Sequence, residues 1–399
     1  MNYDIVIVGG LGHVGLPLGL AWAEAGLTVG AYDLDKVKGR QINEGRMPFI
    51  ERDAEPLLQR VYGKKFFIVE QADELSQAEA VLITIGTPVD EHLTPQFTMV
   101  TRLADQLWPH LHSGQHIILR STVYPGTSRR LRDYLRTKGL ALHVSYCPER
   151  IAQGHALKEL RELPHIIASF TEEGRAYCRG IFRLLNDKIV EVGVDEAELA
   201  KLCSNAWRYV TFALANQFYL IAQTSGANAG EIHRAMTEGY ERCRDLPRPG
   251  FTGGPCLLKD TMQLNAFYAN NFSLGCAAMQ VNEGLPAFCI EQLRQKHDLK
   301  GMKVGLLGMT FKADADDIRD SLSFKLRKLL TFHGAEVLCT DEYVQAPTFL
   351  PLEQVLKEAA LFVVGAPHER YRTLTFPAGK PVFNIWNLDS IQDTRNFML

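Results

Sequence analysis

The chain has 399 residues, 46% of them hydrophobic and 22% charged, and a formal net charge of −3. That length and apolar content supply two or three ordinary cores, and the near-neutral balance excludes a global basic field for nucleic acid or an anionic membrane. Eight scattered cysteines with no CxxC pair and no zinc-ligand spacing argue against a metal centre, and no apolar run approaches a membrane span.

The amino terminus, MNYDIVIVGG, runs straight into a strand without a charged leader or cleavage site, which predicts a cytoplasmic enzyme with reduced thiols. Residues 3–8 are a compact apolar run of the kind buried on both faces of a parallel sheet. Gly10-Leu11-Gly12-His13-Val14-Gly15 follows, and then a helical pattern over 16–25. Gly10 permits the tight turn, Gly12 lets the backbone approach a pyrophosphate, and Gly15 lets the helix pack closely on the strand. A phosphate would rest on the helix amino terminus. A second strand, 27–32, ends in Asp33, eighteen residues beyond Gly15. A carboxylate there binds a ribose 2′-OH and repels a 2′-phosphate, so the spacing predicts NAD rather than NADP.

Strand-like runs continue at 80–85, ending in Gly86-Thr87-Pro88, at 116–120, ending in Ser121-Thr122, and at 142–147, ending in Pro148-Glu149-Arg150. Ligands of open α/β sheets bind beyond the carboxyl ends of strands, which puts Thr122 and Glu149 at the cofactor's reactive end. The plainer alternatives are a helix cap and a solvated loop charge. Runs at 165–169 and 188–192 complete a first domain, 1–193.

From Asp195 the period becomes helical. Residues 196–223 lack Gly and Pro beyond the domain edge and carry bulk on several faces, which predicts a long helix capped by Asp195 and used as a dimer interface. Lys201 and Asn205 lie four residues apart on one face, between Leu199, Leu202, Ala206 and Tyr209, where a buried ammonium needs partners. In PGFTGGPCLLKD (249–260), Cys256 stands behind paired glycines, with Lys259 and Asp260 following. Glycines let the backbone turn sharply and approach a ligand, so this is the setting of an exposed nucleophile, against the alternative of a cysteine filling an apolar gap. A second helical segment is predicted over 260–297, closing a central domain, 194–298. A further α/β unit, 299–399, begins with the strand 303–308, continues through Thr310-Phe311-Lys312 to a helix opened near Ser321, and adds strands at 336–339, 361–364 and 381–385. The architecture read from these patterns is α/β: two Rossmann-like doubly wound domains joined by a central helical domain with a long dimerisation helix.

Taken together, GGLGHVG, Asp33, GTP (86–88), STVYPGT (121–127), PER (148–150), AELAKLCSN (197–205), GGPCLLKD (253–260) and FKADADDIRDS (311–321) resemble the UDP-glucose/GDP-mannose dehydrogenase family. The ordered set spans nearly the whole chain. The resemblance implies a homodimer that oxidises the C6 hydroxymethyl of a UDP-sugar to a carboxylate in two NAD-dependent steps. Cys256 would form a thiohemiacetal and then a thioester. Lys201 and Asn205 would steady developing charge, Asp260 and a water held by Thr122 would take the alcohol proton, and Glu149 would activate the hydrolytic water. For the cofactor the resemblance implies Gly10, Gly12, His13, Val14, Gly15, Asp33, Lys38, Thr87, Ser121, Thr122, Lys259 and Arg319. For the sugar nucleotide it implies Glu149, Arg150, Gln153, Lys201, Asn205, Arg242, Arg248, Phe251, Gly253 and Lys312, with Arg242 reaching a neighbouring subunit's site.

CPERIAQG, STVYPGT and RPGFTGGPC are similar to the branch acting on UDP-N-acetylhexosamines, whereas LLKD is similar to the UDP-glucose and GDP-mannose branches. The chain departs from the family pattern at Gln153, His165 and Trp386, where a glutamate, an arginine and an arginine are expected. Two other functions remain open at this level. A two-electron hydroxyacid dehydrogenase would share the first domain and a helix-borne lysine and asparagine without needing Cys256. A non-catalytic nucleotide-sugar-binding protein would need neither Cys256 nor Asp260.

Overall fold

β1 (Tyr3–Val8) is the centre of the first sheet because both of its faces are apolar. Ile5 and Ile7 point into one core with Leu16, Trp22 and Phe66, while Val6 and Val8 point into the other with Val81, Ile83 and Leu119. The period of two in a strand divides them in this way. β2 (Val29–Tyr32), β3 (Phe66–Val69), β4 (Ala78–Ile83), β5 (His116–Leu119), β6 (His143–Tyr146), β7 (His165–Ser169) and β8 (Ile189–Glu191) complete the sheet in the order β3-β2-β1-β4-β5-β6-β7-β8. Ile5 pairs with Val29 on one side and Ala80 on the other, so the chain reverses direction of winding between β1 and β4. That switch point is where a doubly wound sheet binds its ligand. All neighbours are parallel except β6 and β7.

The computed structural model describes residues 1–87, 98–386 and 388. The chain divides into two compact units, Met1–Ser204 and Asn205–Leu399, with the boundary inside the helix Val194–Ser225. In the second unit β9 (Lys303–Leu307), β10 (Glu336–Thr340), β11 (Leu361–Val364) and β12 (Val382–Phe383) form a parallel sheet in the order β10-β9-β11-β12. Val304, Leu306, Leu361 and Val363 pack toward Leu285 and Leu326, and Leu307, Phe362 and Val364 fill the opposite face. No helix among the described residues is long and apolar enough to cross a membrane.

Two expectations are corrected and one strand was missed. Asp195 is not the cap of the long helix, which starts at Val194; it lies in the first turn and pairs with Arg129 Nη2 at 2.6 Å. The segment 260–297 is two helices, Leu257–Phe267 and Ser273–Lys296, because Ala269 (φ 48°) and Asn270 (φ 61°) adopt left-handed backbone that ends the first. β3 was not predicted: four residues behind two lysines at a sheet edge give too short a pattern.

Two histidines should make the first unit, Met1–Ser204, less stable in acid. His116 stacks on Tyr177 with ring centroids 4.0 Å apart, and burial followed by the neighbouring His143 lowers its pKa to about 4. His165 is buried in β7, and burial with the charge of Arg120 lowers it to about 4 as well. The unfolded chain therefore binds protons that the folded chain refuses between pH 6.5 and about 4. Folding stability should fall as pH drops through that window, by at most about 1.4 kcal/mol per pH unit for each histidine. Urea titrations from pH 7 to 4.5 check this, and His116→Gln should flatten the dependence.

Candidate active site

The glycine turn after β1 has the geometry its sequence suggests. A Cβ on Gly10 would lie 2.7 Å from the Ile7 carbonyl, and one on Gly15 would lie 2.8 Å from the Gly9 carbonyl, so both are required for packing. A Cβ on Gly12 would meet only the Gly9 carbonyl at 3.5 Å, which fits a glycine kept clear for a ligand rather than for the protein. His13 and Val14 lie between that glycine and the helix Gly15–Glu24. Asp33 accepts from the Leu11 amide at 3.0 Å and the Asp35 amide at 3.0 Å, which ties the turn to the end of β2. The Lys38 ammonium lies 3.6 Å from Asp35, and no contact with Asp33 accompanies it. Thr84, which sequence reasoning passed over, donates to the Gly9 carbonyl at 2.9 Å and fastens the turn to β4. Nothing in its sequence surroundings marks it.

Beyond the ends of β4 and β5, Thr87 donates to the Thr122 carbonyl and Ser121 donates to the Ile83 carbonyl at 3.3 Å. Pro88 lies outside the described residues. Glu149 follows β6 and is tightly engaged: Oε1 accepts from the Arg150 amide at 2.7 Å and the Ile151 amide at 3.1 Å, and Oε2 accepts from Arg120 Nη2. The Arg150 guanidinium turns to the Pro164 carbonyl. Gln153 is half-buried beside Gly154, whose amide donates to Glu51. Sequence reasoning also missed Glu198. It is fully buried, and its carboxylate accepts from the amides of Gly126 (2.6 Å) and Ser128 (2.8 Å), capping the helix Thr127–Thr137 that follows the STVYPGT loop. Burial raises its pKa. Lys201 lies one turn further along the same helix and is buried.

In the second unit, Cys256 is exposed immediately before the helix Leu257–Phe267. Asp260, in the first turn, is 1% exposed. Its Oδ1 lies 2.7 Å from Lys259 Nζ, and its Oδ2 accepts from Asn205 Nδ2 at 2.5 Å. The structure thus brings three predicted residues, Asn205, Lys259 and Asp260, to the helix start that carries the thiol. The glycines before the thiol are held from outside. A Cβ on Gly253 would lie 2.6 Å from the Asp320 carbonyl, and one on Gly254 (φ +98°) would lie 2.5 Å from the Phe311 ring. Further back, Asn216 of the long helix donates to the Gly250 carbonyl (3.1 Å) and to Asn282 Oδ1 (2.8 Å) and accepts from the Gly250 amide (2.8 Å). Neither asparagine was predicted: a polar residue in a helix gives no sign of its long-range partner.

Phe251 is buried edge-on against Trp386, with centroids 5.9 Å apart. Trp386, where the family pattern has an arginine, donates from Nε1 to the Val364 carbonyl at 3.1 Å and covers Gly250, a packing role. Asn387 lies outside the described residues. Arg242 and Arg248 are exposed. Lys312 is half-buried, and its carbonyl accepts from Thr310 Oγ1 at 2.9 Å. Asp341 holds this segment through the amides of Met309 (2.5 Å) and Thr310 (3.1 Å). Burial opposes its ionisation, but His368 and the amides of Met309 and Tyr343 keep its pKa below the usual value. Arg319 pairs with Asp317 at 2.6 Å, and that hydrogen bond first, then the charge of Cys256 among others, raises its pKa.

A glycine turn after β1 and a carboxylate at the end of β2, at the switch point of a doubly wound sheet, have the pattern of a dinucleotide-binding domain. The chain belongs to the UDP-glucose/GDP-mannose dehydrogenase family, whose NAD binding domain matches residues 4–186, central domain 195–284 and UDP binding domain 305–398. It is an NAD-dependent dehydrogenase of nucleotide sugars. It is 29% identical to a UDP-N-acetyl-D-mannosamine dehydrogenase from Methanocaldococcus jannaschii over 98% of this chain and 92% of that one. The solved structure of a UDP-N-acetyl-D-mannosamine dehydrogenase from Pyrococcus horikoshii matches at 27% identity and a TM-score of 0.87, covering 93% of this chain and 91% of that one. A UDP-glucose dehydrogenase from Pyrobaculum islandicum, 23% identical, has a TM-score of 0.89 over 98% and 95%, so the fold is shared across different sugars.

Proposed function

We propose that the protein oxidises the C6 hydroxymethyl of a UDP-N-acetylhexosamine to the uronic acid through a thioester on Cys256. The observation that carries this is an exposed thiol at a helix start where the buried Asp260 of the first turn contacts Lys259 beside it and Asn205 of the long helix. The amino terminus of a helix favours negative charge, which suits both a thiolate and the oxyanion formed when it adds to an aldehyde. Asp260 fixes the Asn205 amide, and that amide with the Lys201 ammonium supplies donors to the sugar oxygen. Asp260 and a water held by Thr122 take the alcohol proton, and Glu149 takes one from the hydrolytic water. The turn at Gly10, Gly12, His13, Val14 and Gly15 with Asp33 and Lys38 fits NAD, as do Thr87, Ser121, Lys259 and Arg319. NAD, when bound, accepts a hydride from the substrate carbon in each of the two oxidations. Arg150, Gln153, Arg242, Arg248, Phe251, Gly253 and Lys312 are assigned to the sugar nucleotide. The three-part division at 193 and 298 belongs to the same reading.

The acetamido sugar is favoured by CPERIAQG and by the names of the relatives from M. jannaschii and P. horikoshii. The test supplies UDP-N-acetylglucosamine, its manno and galacto epimers, UDP-glucose and GDP-mannose separately and measures NADH per sugar consumed. Two NADH from an acetamido sugar alone is the expected result. Two from UDP-glucose or GDP-mannose alone overturns the sugar and keeps the chemistry.

A homodimer is part of the same proposal. Trp207, Leu214 and Ile221 recur every seven residues on the long helix and are 72%, 46% and 57% exposed, a stripe whose spacing suits pairing with a second helix. Leu214→Glu should halve the mass seen by sedimentation, and a wild-type chain that already sediments as a monomer rules the dimer out.

A further inference from the structure

Arg120 ends the apolar run HIILR, and its side chain is fully buried. Removing a guanidinium from water costs several kcal/mol unless it is paired, so its partners define its purpose. Nη1 donates to the Cys147 carbonyl at 3.0 Å, the guanidinium lies 4.8 Å above the Phe182 ring, and Nη2 donates to Glu149 Oε2. Among the described residues, Glu149 is its one carboxylate partner. Two backbone amides already occupy Oε1 of that carboxylate. A carboxylate offers four lone-pair sites, and three are now taken. Among the described residues nothing fills the remaining acceptor site on Oε2, on a side chain still 11% exposed. Glu149 is thereby aimed in one direction. His165 shares the Phe182 ring with Arg120, its centroid 5.0 Å away, and stays neutral at physiological pH, so it adds no second cation to compete for the carboxylate.

We infer that Arg120 is a positioning residue for thioester hydrolysis, fixing the Glu149 carboxylate so that its one open lone pair receives a proton from the attacking water. This rests on the role proposed above for Glu149. In the step, the water oxygen bonds to the thioester carbon, its proton passes to Glu149, the C–S bond breaks, and the electron pair remains on Cys256 Sγ. Arg120 touches none of the reacting atoms. Its loss should therefore spare the two oxidations and slow only the release of product.

The experiment mixes enzyme, NAD and the preferred UDP-sugar, follows NADH by stopped flow, and measures the intact mass of the quenched protein. Arg120→Met should keep a burst of two NADH per site, lose about 100-fold in steady-state kcat, and accumulate a uronyl adduct on the protein. Arg120→Lys keeps the buried charge but can make only part of the contacts, so it should show a smaller adduct and an intermediate kcat; it carries the test if Arg120→Met does not fold. Glu149→Gln is the reference and should accumulate the same adduct. An adduct with Glu149→Gln but with neither Arg120 variant overturns the inference and leaves the Glu149 role standing. No adduct with Glu149→Gln overturns both. Loss of burst and steady rate in equal measure in the Arg120 variants also overturns the inference, because it would mean a general structural role.

Discussion

Cys256→Ala is expected to abolish uronate formation, lowering kcat by about 10³-fold or more, as loss of a covalent nucleophile does. At most one NADH per sugar should form, because without the thiol the aldehyde is not captured and stalls as its hydrate. The thiol is exposed, so stability should change by no more than about 0.5 kcal/mol, and an unchanged melting temperature separates lost chemistry from lost structure. Counting NADH against sugar by chromatography gives the answer. A Cys256→Ala enzyme that still yields two NADH refutes the thioester route. One that turns over normally with one NADH supports a two-electron oxidation of the sugar that does not use the thiol.

Asn216→Leu is expected to have the largest effect on stability. Leucine keeps the heavy-atom count and branching of asparagine but is bulkier, and the main cost comes from polarity: the Gly250 amide, the Gly250 carbonyl and Asn282 Oδ1 each lose a partner in a fully buried place. At about 1–3 kcal/mol for each orphaned group, partly relieved by water, the loss is about 4 kcal/mol. For a unit the size of Asn205–Leu399 that corresponds to about 10 °C in melting temperature. The same bonds tether the backbone six residues before Cys256, so activity should fall below the melting point too. Thermal unfolding together with kcat at 25 °C checks both parts, and a variant within 2 °C of wild type would mean that the loop is held by other contacts, such as Trp386 over Gly250.

The local signals were legible because they act over short range. Ile5 and Ile7 against Val6 and Val8 wrote a strand with two buried faces, and Gly10 and Gly15 wrote the turn, since each must be glycine for reasons that lie within a few residues or one neighbouring strand. The ordered motifs carried the family, and with it NAD. Cys256, Asp260 and Asn205 were named from the sequence, but that Asn205 donates to Asp260 across fifty-five positions is a matter of helix packing. The same is true of Arg120, Glu198, Asn216 and Asp341. Each is a polar residue inside an apolar or helical pattern, and its meaning is set by a partner that only the folded chain supplies. The sequence by itself determined every strand but β3, the glycine turn and the candidate thiol, because covalent geometry and hydrophobic period decide these locally. Only the tertiary structure decided which buried polar groups face one another, because a hydrogen bond between distant residues leaves no period in the chain.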